Sequence, residues 1–431
     1  MDTLSHVGRG LLGLAAFIAI ATCFSSNRRA IPWRLVATGL ALQILFGFLV
    51  LQVDAVRVGV DAVGTFFIRI LDFNEAGARF LFGNLLDASQ SWGYVFAFKV
   101  LPTIIFFSAL TSLLFYLGIL QRVVYAFAWV MSRTMQLSGA ESLSASANIF
   151  LGQTESPLLI KPYLASLTRS ELLAVMVGGL ATIAGAVMVA YIGMLGGDDP
   201  VARLTFAKHL LTASVMSAPA ALLIAKILEP QTETVDSNLA VPREKIGSNA
   251  LEAIANGTTD GLRLAINVGA MLLVFTALVA FFNWILSAGL GGWTGLNGWI
   301  QESTSGRYAE LSLQYIFGLL FAPLAWLMGI DSQLLIAGQI IGEKTVLNEF
   351  YAYGTLAQMK TAGTLTDVRA QIILTYALCG FSNIASIGIQ IGGIGALAPN
   401  QRGTLAQLGL KALLGGSLAC FMTACVASML I

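Results

Sequence analysis

Charge is what this sequence has least of. Only 11% of its 431 residues are Asp, Glu, Lys or Arg, against about 25% in an ordinary soluble domain. With 57% of residues hydrophobic, a water-soluble fold would have too few polar side chains to cover its surface. The 24 basic and 23 acidic residues leave a net charge of +1, so no field gathers nucleic acid. Histidine occurs only at His6 and His209, too little imidazole for a histidine-based metal site or a serine–histidine relay. The four cysteines, Cys23, Cys379, Cys420 and Cys425, lie in apolar runs without a Cys-x-x-Cys pair, which argues against a disulfide framework or a zinc site. These shortages exclude a soluble enzyme, a nucleic-acid binder and a disordered scaffold.

Present instead are apolar runs near 20 residues, recurring along a chain of mean hydropathy +0.79. They predict an all-α polytopic membrane protein; the alternation of a transmembrane barrel is missing. Eight spans are expected, near 9–25, 34–52, 94–118, 171–195, 208–228, 263–288, 368–391 and 404–430. The first run exits into Ser25-Ser26-Asn27-Arg28-Arg29, a basic stop, so it reads as a retained span rather than a cleaved signal. In 54–72, Asp54, Arg57, Asp61, Arg69 and Asp72 share an arc of about 120° on a helical wheel. That pattern predicts an amphipathic helix lying in the membrane interface.

Basic residues orient the chain. Arg28, Arg29 and Arg34 follow the first span, Arg122, Arg133, Lys161 and Arg169 the third, and Arg243 and Lys245 the fifth. The loop 289–306 holds no Lys or Arg, although Arg203, Lys360 and Arg369 fall on the opposite side. The balance places both termini on the periplasmic side.

Two regions repeat one another. Gly139-Ala140-Glu141-Ser142 is followed by Gly152, and Gly329-Ile330-Asp331-Ser332 by Gly342 at the same distance. Ala128-Trp129-Val130-Met131 is echoed by Ala325-Trp326-Leu327-Met328, and Thr182-Ile183-Ala184-Gly185 by Asn383-Ile384-Ala385-Ser386. Each copy would hold one span, a re-entrant helical hairpin and two more spans. An odd number of crossings makes the second copy enter from the opposite face, an inverted-topology repeat as in secondary transporters. The expected divisions are an N-terminal scaffold (1–93), a first repeat (94–231) with a hairpin at about 139–168, a cytoplasmic connector (232–262), and a second repeat (263–431) with a hairpin at about 329–362.

Polar chemistry concentrates at the breaks. Gly152 is expected to end the first hairpin arm, with Ser156 and Pro157 as N-cap and first-turn residues of the second. Gln153, Thr154 and Glu155 are then left at a tip, and Thr168-Arg169-Ser170-Glu171 reads as a capping box for the next span. At the second tip, Glu343 and Lys344 read as a solvated pair. Glu349, flanked by Leu347, Phe350 and Tyr351, reads as an intramembrane carboxylate with a function. Gly178–Gly185 and Cys379–Ser386 look like interruptions of their spans; Asn383 is hard to explain as packing, since an apolar span gains nothing from an unpaired amide.

Gly342-x-Lys344-x-x-x-Asn348-Glu349-Phe350-x-Ala352-Tyr353, Gly152-Gln153-Thr154-Glu155-Ser156-Pro157 and Phe381-Ser382-Asn383-x-x-Ser386 together resemble the concentrative nucleoside transporter family, in its bacterial eight-span form. Tyr351 stands where the family pattern has Val. The resemblance implies a homotrimer with one site per protomer in a bacterial inner membrane. It implies that Gln153, Thr154 and Glu155 contact the nucleobase, with Val187 and Phe381 packing nearby. It assigns Glu349, Asn383 and Ser386 to the ribose hydroxyls, and sodium to the side chains of Asn148 and Thr182 with the carbonyls of Leu151 and Ile183. The expected activity is sodium-coupled symport of nucleosides such as uridine, with no organic cofactor and no nucleic-acid partner. Two alternatives stand at this stage: proton coupling through Glu155 or Glu349, and a gate-domain membrane protein that does not transport.

Overall fold

The computed structural model describes residues 3–87, 95–235 and 247–431. Arg243 and Lys245, used above to orient the chain, lie outside the described residues. Among those described, regular structure is entirely helical. The N-terminal helices are α1 (Thr3–Cys23), α2 (Trp33–Gln52) and α3 (Asp54–Phe82), followed by α4 (Leu101–Tyr116) and α5 (Ile119–Met135). The first hairpin opens with α6 (Gly139–Ala147), and α7 (Arg169–Ala181), α8 (Gly185–Gly196) and α9 (Pro200–Leu228) follow. Then come α10 (Ala250–Trp284), α11 (Leu313–Leu327), α12 (Leu334–Val346), α13 (Glu349–Thr361), α14 (Val368–Leu378), α15 (Ile384–Leu397) and α16 (Arg402–Leu430).

Seven helical stretches among the described residues are long and apolar enough to cross a membrane. The expected span 368–391 is not one of them, because unwound chain at Cys379–Asn383 splits it into α14 and α15, each too short alone. The stretch 169–196 is split in the same way at Thr182–Ala184. Gly178 and Gly179 sit inside α7, so the interruption lies beyond them. Helix α3 runs ten residues past the expected 54–72, its extension carrying an Arg79–Glu75 pair at 3.1 Å and an Asn74 side chain that donates to Thr103 at 2.9 Å. Helix α10 begins at Ala250, within the expected connector, where Asn249 caps it by accepting from the Glu252 amide. Pro323 sits inside α11 without ending it, as proline can where neighbouring helices support the freed carbonyl.

The core is α7, α8 and α9 wrapped by α14 and α16. The most apolar window of 169–196 is 100% buried, whereas that of 250–294 is 11% buried. Helix α10 packs chiefly along one seam, against α4, and meets α11 near its end, where Asn283 donates to Gln314 at 2.9 Å and accepts from the Leu313 amide at 2.9 Å. Gly257 and Gly261 make that seam possible: a Cβ on either would lie 2.9 Å or less from α4 backbone, at Ala109 Cα and Ile105 Cα. Small residues four apart let apolar helices approach this closely.

Local signals act as read at one boundary and fail at others. Thr168 and Glu171 form the expected capping box at the start of α7. In the first hairpin the helix stops at Ala147, with Asn148 as its C-cap, several residues before Gly152. Ser156 is not an N-cap; the 3-10 turn Ser156–Ile160 follows Glu155, whose carboxylate folds back to accept from the Gly152 amide at 3.1 Å. Glu343 and Lys344 are not solvated. They are 1% and 0% exposed, because α11 and α14 pack on the two sides of α12. Gln339 donates to Glu343 at 2.9 Å, and Lys344 donates to the Ala377 carbonyl at 3.2 Å beneath the Phe421 ring.

Candidate functional site

The two broken helices cross. The Phe381 amide donates to the Thr182 carbonyl at 3.3 Å, joining one unwound stretch to the other. Gly380 is required at the crossing, where a Cβ would lie 2.8 Å from the Leu180 carbonyl oxygen and 3.0 Å from Ala181 C. Cys420 of α16 passes beside both, 3.6 Å from the Ala181 carbonyl and 3.4 Å from that of Cys379. Four half-helix ends therefore meet inside the protein, with backbone groups that a continuous helix would have satisfied internally.

Two of these ends carry the polar side chains. Asn383 is the N-cap of α15, accepting from the Ser386 amide at 2.9 Å. Its own amide nitrogen is left free to donate to Glu349 at 2.8 Å. Glu349 is the first residue of α13, behind the N-cap Asn348, which accepts from the Tyr351 amide at 2.8 Å. A carboxylate at a helix N-terminus is favoured by the unpaired amides there. Glu349 is 4% exposed, and Tyr191 of α8 donates to its other oxygen at 3.3 Å. Tyr191 is held by stacking on Tyr353, ring centroids 4.1 Å apart.

The same chain of bonds reaches the first hairpin. Ser386 accepts from the Gln153 amide at 3.2 Å, and the Gln153 carbonyl oxygen has no partner. Gln153, Ser386, Asn383 and Glu349 thus form one connected polar line through apolar surroundings. Thr154 is exposed and faces Gly393 of α15. Glu155 is turned away from this line; with Ser108, Thr111, Ser112 and Asp260 it borders a cavity of about 110 Å³ towards α4 and α10. Val187 is buried in α8, and Phe381 is 9% exposed at the crossing. Val187, Phe381, Asn383, Ser386, Gln153 and Glu349 therefore cluster around the crossed breaks, whereas Glu155 stands apart.

A second group of oxygens lies beside the α7–α8 break. Asn148 is 0% exposed, and neither atom of its amide has a hydrogen-bond partner. A Cβ on Gly178 would lie 3.2 Å from that amide nitrogen, which places Asn148 against α7 one turn before Thr182. Thr182 donates its hydroxyl proton to the Gly178 carbonyl at 2.9 Å, leaving its lone pairs unused. Among the described residues nothing donates to the carbonyls of Leu151 or Ile183.

Sequence reasoning missed two neighbours of the site. Tyr191 holds Glu349, and Gln390, 0% exposed, donates to the Met176 carbonyl at 3.0 Å with its own carbonyl oxygen unpartnered. Gln390 carried the same signal as Asn383, a lone amide in an apolar helix. Tyr191 carried none, since a tyrosine in a membrane segment is ordinary.

Comparison with known proteins follows this geometry. The model of the Na+ dependent nucleoside transporter N-terminus matches residues 12–85, that of nucleoside recognition (Gate) 97–198, and that of the Na+ dependent nucleoside transporter C-terminus 209–428. An uncharacterized transporter of Haemophilus influenzae is 44% identical over 437 residues, spanning 100% of this chain and 98% of that protein. The nucleoside permease NupC of Helicobacter pylori is 41% identical over 428 residues, spanning 98% and 97%. Solute carrier family 28 member 3 of Mus musculus is 40% identical over 434 residues, 97% of this chain but 58% of that longer protein. The solved structure of CNTnw in an inward-facing substrate-bound state superposes with a TM-score of 0.89 at 39% identity, covering 100% and 98% of the two chains. A CNTnw variant in an outward-facing state gives 0.90 at 38% identity, covering 100% and 99%. The chain, an integral membrane transporter and not an enzyme, belongs to the Na+ dependent nucleoside transporter family.

Proposed function

We propose that this protein is a sodium-coupled symporter that imports nucleosides such as uridine, with Glu349, Asn383 and Ser386 on the ribose hydroxyls. Gln153 and Thr154 contact the base, Glu155 reaches it through water, and Val187 and Phe381 pack against it. The observation that carries this reading is the buried line Gln153–Ser386–Asn383–Glu349 at the crossed helix breaks. A carboxylate and an amide present acceptors and donors that match a vicinal diol. A nucleoside entering here exchanges those internal bonds for its own and can also supply a donor to the Gln153 carbonyl oxygen, which has no partner within the protein. A polar line through apolar surroundings is costly to keep unless it has this use.

Sodium is the second substrate. Asn148, Thr182 and the carbonyls of Leu151 and Ile183 offer neutral oxygens at an unwound break, and the buried Asn148 side-chain oxygen has no hydrogen-bond partner that would compete with an ion for it. Oxygens of this kind replace the water of an alkali ion. Coupling follows because ion and nucleoside share one structural unit: Thr182 receives the Phe381 amide, two residues from Asn383. Sodium at Thr182 thus fixes the crossing that positions the ribose residues.

The same reading makes α3 and α10 a frame around the hairpin-bearing repeats and places the protein as a homotrimer in a bacterial inner membrane, both termini periplasmic. Its units are the divisions 1–93, 94–231, 232–262 and 263–431, the last two meeting inside α10, which begins at Ala250.

Two results are expected. Uridine at about 100 times its Kd should stabilise the detergent-solubilised protein by about 2.7 kcal/mol, read as a rise in Tm, and the rise should grow with sodium at fixed pH. Sodium-independent binding would instead support proton coupling, and no rise at all a non-transporting gate protein. Thr182→Val removes one oxygen at nearly constant volume. The sodium concentration giving half-maximal uptake should rise, whereas uridine affinity at saturating sodium should change little. Unaltered sodium dependence would place the ion elsewhere.

A further inference from the structure

The geometry points to a binding site for the headgroup of an anionic phospholipid, separate from the nucleoside and sodium sites. It is the cavity of about 320 Å³ bounded by the start of α2, the end of α5 and the start of α6. Arg34, in the first turn of α2, and Arg133, in the last turn of α5, both line it. Among the described residues neither makes an ion pair, although nine such pairs occur there. A third cation in the wall, Lys226, is neutralised by Glu141 within the same wall. Two arginines therefore line the cavity with no ion pair among the described residues, a match for phosphodiester oxygens, which guanidinium binds with paired N–H donors.

The surroundings select a lipid over a free anion. Trp33 and Trp129 are 52% and 46% exposed beside the two arginines. The Arg133 guanidinium lies over the Trp129 ring, 5.0 Å from its centroid. Tryptophan and arginine at one level mark the boundary between headgroups and acyl chains. Tyr125, Trp129 and Arg133 share the exposed face of α5, the face an interfacial amphipathic helix lays on a membrane. Leu35 and Leu137 add apolar wall to the cavity, which suits the glycerol end of a lipid and not inorganic phosphate.

Position gives the site a consequence. Gln136, Leu137 and Ser138 join α5 to α6, the first arm of the first hairpin, and all three line the cavity. A headgroup held between Arg34 and this linker ties the hairpin's entry to α2.

The test uses purified full-length protein in a neutral detergent, with binding of phosphatidylglycerol followed by native mass spectrometry and by thermal shift. Phosphatidylglycerol should bind and raise Tm, phosphatidylethanolamine and inorganic phosphate at equal concentration should not. The Arg34→Gln/Arg133→Gln double variant should weaken phosphatidylglycerol at least tenfold, while Arg122→Gln, outside the cavity, should bind as the parent does. Gel filtration and the lipid-free Tm establish that the double variant is folded, and Arg34→Lys/Arg133→Lys should retain part of the affinity. Undiminished lipid binding by the double variant would overturn the site. Stabilisation by inorganic phosphate equal to that by lipid would overturn the lipid as its ligand.

Discussion

Replacing Glu349 with Gln is expected to lower uridine affinity by at least tenfold while leaving the protein folded. The carboxylate accepts from Asn383 at 2.8 Å and from Tyr191 at 3.3 Å, so both its oxygens serve as acceptors. Glutamine keeps the shape but turns one acceptor into a donor that faces a donor. In the loaded state, each charge-assisted bond to a ribose hydroxyl is worth roughly 1.5–3 kcal/mol, and the loss of one such bond is about tenfold or more. The fold should survive because Asn348, not Glu349, caps α13. Binding of uridine by isothermal calorimetry, with Tm measured in parallel, checks both halves. Unchanged affinity would remove Glu349 from the ribose site.

The largest stability effect is expected far from the substrate, at Lys226. This ammonium, 2% exposed, pairs with Glu141, 1% exposed, and donates to Ser170 at 2.9 Å. Lys226→Met leaves the Glu141 carboxylate buried without a cation, a loss of about 3–5 kcal/mol. Adding Glu141→Gln removes that uncompensated charge and should recover much of the loss. The double variant keeps a side chain able to accept from the Ser138 amide, as Glu141 does at 3.2 Å to cap α6. Thermal unfolding of the two single variants and the double variant gives the coupling. If Lys226→Met alone unfolds at the parent's Tm, the pair contributes nothing to stability.

The reach of sequence reasoning here follows the range of the interactions. Thr168 and Glu171 were legible as a cap because both partners lie within four residues. The interruptions near Thr182 and Asn383 were legible because Gly, hydroxyl and amide residues are expensive in an apolar helix unless they serve a break. Glu343 and Lys344 were misread because their burial is decided by α11, α14 and Phe421 of α16, none of which is local. Ser156 was misread for a different reason, a competition between local partners: the Glu155 carboxylate takes the Gly152 amide, and Glu155, not Ser156, precedes the turn. The splitting of 368–391 into two short helices was only half legible. Its polar residues showed, but the crossing that stabilises the unwound chain, Phe381 to Thr182, joins residues two hundred apart. Tyr191 stayed invisible because its role depends wholly on where α13 puts Glu349.

Uptake of radiolabelled uridine into proteoliposomes containing only this protein tests the central claim most directly. An inward sodium gradient at fixed, equal pH should drive uridine above its external concentration. Collapsing that gradient should abolish accumulation, and an inward proton gradient without sodium should not restore it. Accumulation driven by protons alone, or none under a sodium gradient by protein that still binds uridine, would contradict sodium-coupled nucleoside symport.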